Sequence, residues 1–208
     1  MRGSTVQDLP HLIAIGGASC SGKTSIAAAL VAALPAGSAL LLPLDSYYRD
    51  LSSIAESERT RVNFDEPEAL EWPLIREHVA ALSRGQSVDV PEYDFVQHLR
   101  TSRTHTVMAK PYVIMEGLFA LYDAQIRDRC AVRAYVDAPA ETTLSRRISR
   151  DVNERGRTRE SVLVQHSIHV LPMAERHVFP TRRYANLLLD GSAPPEESAR
   201  LILDFMMP

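Results

Sequence analysis

Short apolar runs that alternate with helical patterns, and a glycine-rich loop between the first of each, predict an α/β fold on a doubly wound, mostly parallel sheet. Five runs read as strands: 11–16, 39–43, 111–115, 132–137 and 185–189. Each is short and bounded by turn residues. Most are apolar throughout rather than alternating, as in parallel strands covered on both faces. The first strand feeds the glycine-rich loop, and a helix-like run from Ile26 to Leu34 leads out of it. After the second strand, residues 73–84 carry Leu74, Ile75, His78, Val79 and Leu82 on one stripe, with Pro73 near the start and Gly85 at the stop. Further helices are expected at 140–153, 159–178 and 195–206. One segment breaks the alternation: Val88–Phe95 and Thr104–Val107 read as a β-hairpin, an insertion over about 87–108. Placed before the third core strand, it would serve as a flap over a ligand.

Composition narrows the function classes. The chain has 208 residues, 45% of them hydrophobic, enough for one core domain spanning 10–208. Its net charge of −3 lacks the basic field of nucleic-acid binders, so no nucleic-acid partner is expected. Cys20 and Cys130 make neither a disulfide framework nor metal-ligand spacing. No apolar run reaches the roughly 18–20 residues that span a bilayer, and the polar tail 1–9 lacks a signal-peptide core. A cytoplasmic chain without a membrane partner is the expectation.

The loop itself is Gly17-Ala18-Ser19-Cys20-Ser21-Gly22-Lys23-Thr24 and fits the G-x-x-x-x-G-K-[ST] phosphate-binding pattern at every fixed position. Its glycines let backbone N–H groups point at phosphate oxygens, and the following helix adds its N-terminal dipole. Lys23 would neutralise β/γ-phosphate charge, and the Thr24 hydroxyl would hold Mg²⁺. Lys23 is one of two lysines, the other being Lys110, in a chain whose cations are otherwise arginines.

Ligands of open α/β sheets sit beyond the carboxyl ends of the strands. Three strand ends here carry acids: Asp45 after the second, Glu116 at the third and Asp137 at the fourth. Asp137, two residues before Pro139, suits a solvated turn or helix cap. Asp45 and Glu116 would face the loop, Asp45 to orient an acceptor hydroxyl and take its proton, Glu116 to organise the metal. Arginines crowd one stretch: Arg146, Arg147, Arg150, Arg155, Arg157 and Arg159. Read plainly, they are a solvated helix with pairs such as Arg147–Asp151. Read functionally, they are a lid at about 147–160 whose guanidiniums close over the transferring phosphate and exclude water.

Taken together, the motifs resemble the uridine kinases from His11 to about Leu189. The matching pieces are the phosphate loop, Asp45-Ser46-Tyr47-Tyr48, Asn63-Phe64-Asp65-Glu66-Pro67, Tyr93-Asp94-Phe95-Val96-Gln97-His98, Glu116-Gly117, Arg146 to Arg157, Gln165 and Tyr184-Ala185. The resemblance implies a P-loop kinase-type five-stranded sheet and phosphorylation of the 5′-hydroxyl of uridine or cytidine, with ATP or GTP as donor. It implies that Asp45 is the base with Tyr48 nearby, that Asp65 binds the ribose and that Phe64 packs beside the nucleoside. Tyr93 and His98 would contact the pyrimidine. Arg147, Arg157 and Gln165 would line the acceptor site, and Arg150 and Arg155 would approach phosphate as catalytic arginines. A homotetramer is also implied. Glu66, Leu171, Asn186 and Asp190-Gly191 depart from the family pattern, and Cys20 is unusual within its loop. A relative acting on another sugar hydroxyl, as phosphoribulokinases do, and a nucleotide-binding regulator without catalysis remain alternatives.

Overall fold

The computed structural model describes residues 9–59 and 62–206. The tail expected at 1–9 lies outside them except for Leu9. Among the described residues seven strands form: β1 (His11–Gly17), β2 (Ala39–Pro43), β3 (Val88–Asp94), β4 (Leu99–Val107), β5 (Tyr112–Glu116), β6 (Val132–Asp137) and β7 (Leu187–Asp190). Five of them make a parallel sheet in the order β2-β5-β1-β6-β7, while β3 and β4 pair as a separate antiparallel hairpin. The helices are α1 (Lys23–Ala33), α2 (Glu56–Arg59), α3 (Trp72–Leu82), α4 (Ala124–Arg127), α5 (Ala140–Asn153), α6 (Arg159–Gln165), α7 (Leu171–Met173) and α8 (Pro195–Met206).

The strand pleat explains why the sheet strands read as continuous apolar runs. Successive β1 side chains point to opposite faces, and both faces are covered. Leu12 and Ala14 join the core formed with Ile75, Val79 and Leu82 of α3 and Val88 and Val90 of the hairpin. Ile13 and Ile15 join the other core, with Ile26, Ala27 and Leu30 of α1 and Ala199 and Ile202 of α8. Because β5 lies between β1 and β2, Ile15 and Pro43 both stand beside Glu116 in register. The phosphate loop, Asp45 and Glu116 are thereby delivered to one edge.

Four elements differ from the sequence expectation. The first helix starts at Lys23 rather than Ile26, so the loop lysine is already helical. The second hairpin strand starts at Leu99 rather than Thr104. The connection is therefore only Phe95–His98, closed by Asp94 Oδ1 accepting from Val96 N–H (2.8 Å) and Gln97 N–H (3.0 Å), with His98 at φ 53°. Residues 159–178 are helical but not uniformly α: π turns at His166–Val170 and Ala174–Val178 flank α7, and a 3₁₀ segment continues over Phe179–Tyr184. Pro172 and Pro180 lack the N–H that an α ladder needs, and wider or tighter turns accommodate them. The last strand starts at Leu187 because Asn186 is tied down first. Its Oδ1 accepts from Arg133 N–H (2.7 Å), and its Nδ2 donates to Ala131 O (2.9 Å). Asp137 caps no helix: it is exposed and pairs with Arg182 at 3.3 Å.

Candidate active site

The phosphate loop turns between the end of β1 and the start of α1. Gly17 has φ +143°, and a Cβ there would lie 2.5 Å from the carbonyl oxygen of Val136 on β6, so only glycine fits. The turn closes through Ser21 N–H to Ala18 O (3.1 Å), with Cys20 in the left-handed region at φ 61°. Lys23 is buried and folds back so that Nζ donates to Ala18 O at 2.7 Å. Burial lowers the pKa of its amine, against the opposing pull of Glu116 and Asp45. The Thr24 hydroxyl donates to both oxygens of Glu116, at 3.4 and 3.3 Å.

Across from the loop, the 3₁₀ turn Leu44–Tyr47 carries Asp45. Its carboxylate is reachable from the cleft, yet protein packed around the cleft floor raises its pKa; Lys23 opposes that shift and Asp65 adds to it. Burial likewise pushes Glu116 and Asp65 upward, opposed at Asp65 by Arg147 and Arg150. Next to these acids stands an aromatic wall. Tyr48 meets Phe64 edge-on at 5.0 Å and lies 5.4 Å from Tyr93, while Phe64 stacks on His98 at 5.0 Å. The buried Tyr93 hydroxyl has no hydrogen-bond partner among the described residues, and its pKa is raised to about 12 by burial. Burial and Arg155 lower the His98 imidazole pKa, which keeps it neutral at pH 7.

The third wall is the arginine stretch. Arg147 Nη1 donates to Ser19 Oγ (3.1 Å) and Nη2 to Gln165 Oε1 (3.2 Å), and Arg157 Nη1 donates to the same oxygen. The Arg147–Asp151 pair forms at 3.7 Å, but it is one of several, since Arg150, Arg155 and Arg157 face the same carboxylate.

All three walls line one cleft of about 1670 Å³. A single small-molecule pocket is typically ~300–1,000 Å³, so this one has room for two ligands side by side. Ser19, Cys20, Gly22, Lys23, Thr24, Asp45, Tyr48, Phe64, Asp65, Tyr93, His98, Glu116, Arg147, Arg150, Arg155, Arg157 and Gln165 line it. Gly17, Ala18 and Ser21 stand behind the loop surface instead and shape it.

Two more residues from the sequence reading also shape the cleft. Arg146, exposed, donates from Nη1 to Gly191 O at 2.9 Å and borders the cleft near Gly22. Gly191 packs so closely that a Cβ would sit 2.1 Å from Ser21 O, which gives a steric reason for glycine at this departure from the family pattern. Val164, Ile168 and His169, which were not among the candidates drawn from the sequence, line the cleft together with Gln165. Their only signal was helical spacing, which is indistinguishable from an ordinary helix face. Glu66, another departure, is not among the cleft-lining residues, and its Oε1 accepts from Asn63 Nδ2 at 2.8 Å.

Comparison with known proteins agrees with this geometry. The chain is 42% identical over 180 residues to a uridine kinase of Deinococcus deserti, covering 86% of this chain and 87% of that one. It is 41% identical over 182 residues to the uridine kinase of Escherichia coli, covering 86% and 85%. In fold it matches D-glycerate 3-kinase from Cryptococcus neoformans with a TM-score of 0.65 at 14% identity, over 91% of this chain and 89% of that one. It matches phosphoribulokinase from Rhodobacter spheroides with 0.64 at 12%, over 89% and 73%. The sequence model of the Phosphoribulokinase / Uridine kinase family matches residues 12–193, and the chain belongs to that family.

Proposed function

We propose that the chain transfers the γ-phosphoryl group of ATP to the 5′-hydroxyl of uridine or cytidine, giving UMP or CMP. The observation that carries this reading is the placement of Asp45 in one cleft, between a phosphate loop and an aromatic wall that also holds Asp65. Relatives about 40% identical over most of the chain, named uridine kinase, support it.

In this reading the loop amides and Lys23 hold the donor's phosphates. Asp45 orients the acceptor hydroxyl and receives its proton as the oxygen attacks phosphorus in line with the departing ADP. The transition state is loose, so the remaining work is positioning and charge neutralisation. Arg150 and Arg155 supply charge to the transferring group, and their closure keeps water out. Asp65 accepts from the ribose hydroxyls with Tyr48 beside it. Phe64 flanks the nucleoside, Tyr93 and neutral His98 meet the base edge, and Arg147, Arg157 and Gln165 close the acceptor side. Thr24 and Glu116, with Asp45 nearby, offer an all-oxygen donor set that suits Mg²⁺. Held there, the ion would neutralise charge that develops on the transferring phosphoryl group. A cytoplasmic homotetramer, with ATP or GTP as the donor, belongs to the same reading. Among the described residues, no helix is long and apolar enough to cross a membrane.

A coupled assay with ATP across uridine, cytidine, adenosine and ribulose 5-phosphate tests the proposal. Turnover is expected with the two pyrimidine nucleosides. Preferential turnover of ribulose 5-phosphate would move the chain to the other branch of its family. ATP binding without turnover of any acceptor would leave only a regulator.

A further inference from the structure

Four guanidiniums of the arginine stretch share one carboxylate. Asp151 on α5 is fully buried. Its Oδ1 faces Arg150 Nε at 2.9 Å and Arg155 Nη1 at 3.5 Å, and its Oδ2 faces Arg157 Nη1 at 3.6 Å and Arg147 Nε at 3.7 Å. The turn hangs on the same residue's main chain, where Arg157 N–H donates to Asp151 O at 3.1 Å. Among the described residues, only Arg150 makes a side-chain hydrogen bond to this carboxylate. Oδ2 and Arg147 Nε are both buried and without a hydrogen-bond partner among the described residues. A buried ion pair stabilises a fold only when its geometry is good and its remaining lone pairs are satisfied. This arrangement is poorly satisfied, so stability alone does not account for it.

What the arrangement does is join the two ends of the cleft. Arg147 and Arg157 converge on Gln165 at the acceptor side, and Arg147 also reaches Ser19 in the phosphate loop. Arg150 and Arg155 lie within electrostatic reach of Asp45, and Arg150 also of Lys23. Four like charges repel one another, and one carboxylate at their centre holds them as a set. A ligand that engaged one pair of arginines would bias the other pair through that shared anchor.

Resting on the kinase reading above, we propose that Asp151 is a positioning residue that couples donor binding to acceptor binding. It touches neither substrate and acts through the arginines it gathers. Coupling between two sites is reciprocal and typically ~5–150-fold in affinity. Calorimetry of uridine binding, with and without a non-hydrolysable ATP analogue, measures it directly. In the wild-type chain the analogue should tighten uridine about tenfold. In Asp151→Asn, which keeps shape and loses charge, that factor should collapse toward one while each ligand alone binds nearly as before. Asp151→Glu, which keeps the charge and shifts it by a methylene, should recover part of the coupling. An unchanged coupling factor in Asp151→Asn would overturn the proposal. So would parallel loss of both separate affinities together with thermal stability, which is the mark of a merely structural residue. Limited trypsin cleavage after Arg155 and Arg157 gives a second readout that needs no acceptor. The ATP analogue should slow it in the wild-type chain and not in Asp151→Asn, whereas equal protection in both would again overturn the proposal. If the wild-type chain bound the analogue but no nucleoside, the acceptor reading would fall, and the trypsin result would still decide for or against Asp151.

Discussion

Asp45 shares its cleft floor with Glu116 and Asp65, three carboxyls that burial in packed protein pushes toward protonation. For a general base, a pKa nearer the working pH is useful, because the group is then both ionised and able to hold a proton. Turnover should therefore rise with pH through an acid limb centred above the ordinary aspartate value of ~3.9, as read from kcat/KM profiles. Asp45→Asn should lower turnover by about 10²–10⁴-fold, the usual worth of a positioned base, and leave ATP affinity nearly unchanged. Equal turnover would remove Asp45 from the role. The same shift has a stability consequence. A carboxyl with a raised folded pKa binds extra proton in the native state between its ordinary and raised values, so it costs stability as pH rises through that window. Asp45→Asn should consequently melt higher than the wild-type chain at pH 7, and the gain should vanish below the ordinary aspartate range. A lower melting temperature at pH 7 would mean that Lys23's attraction outweighs burial. Asp45 and Glu116 were legible in the sequence because both terminate apolar runs on the ligand edge. Asp151 was legible only as one i,i+4 partner of Arg147. Arg155 also stands at i,i+4 from it, but the contact of Asp151 with Arg157 depends on how the turn at Gly156 folds back, which no periodicity records.

At the scale of elements, α5 and α8 fall on their expected bounds, since each has a strong stripe and a proline at its start. The strand β4 was half hidden. Leu99 to Val107 is polar apart from its two ends and mostly exposed, so it sends no burial signal. Backbone pairing with β3 holds it instead, together with Arg100. That side chain, partly buried, donates from Nη1 to Glu71 Oε2 (2.7 Å) and from Nη2 to Tyr48 O (2.9 Å). The hairpin bearing Tyr93 and His98 is thus tied to the turn bearing Asp45 and Tyr48. Arg100→Met keeps the apolar stem and removes those bonds, which at ~1.5–3 kcal/mol for a hydrogen-bonded charge should lower the unfolding free energy by about that amount in denaturant titrations. It should also raise KM for the nucleoside more than KM for ATP. An equal rise in both would show that the tether serves general stability rather than the acceptor side. The π turns around α7 were illegible for another reason: Pro172 and Pro180 announce an interruption but not which hydrogen-bond spacing resolves it.

Over the whole molecule, charge is distributed against its own sum. The chain carries a net −3, yet its cleft is lined by Lys23 and five arginines (Arg146, Arg147, Arg150, Arg155 and Arg157) against four carboxyls, Asp45, Asp65, Glu116 and Glu154. A concave, partly desolvated surface concentrates such a field on a polyanion. ATP should draw on it strongly, and uridine, which is uncharged, hardly at all. Anything that binds only the native state stabilises it by mass action, by about 2.7 kcal/mol at a hundredfold excess over Kd. For a chain of this size that corresponds to a rise of ~5–10 °C in melting temperature. Both ligands should therefore raise the melting temperature when each is supplied at a hundredfold excess over its own Kd in low salt. The two should part when salt is then added at fixed ligand concentration. Screening shortens the reach of exposed charges to about 3 Å at 1 M ionic strength, from about 10 Å at 0.1 M. The shift given by ATP should then shrink markedly, while the shift given by uridine, held by the aromatic wall and Asp65, should stay nearly constant. Equal salt sensitivity for the two ligands in differential scanning fluorimetry would mean that the arginines are neutralised by their own carboxylates and lend no net field to the donor.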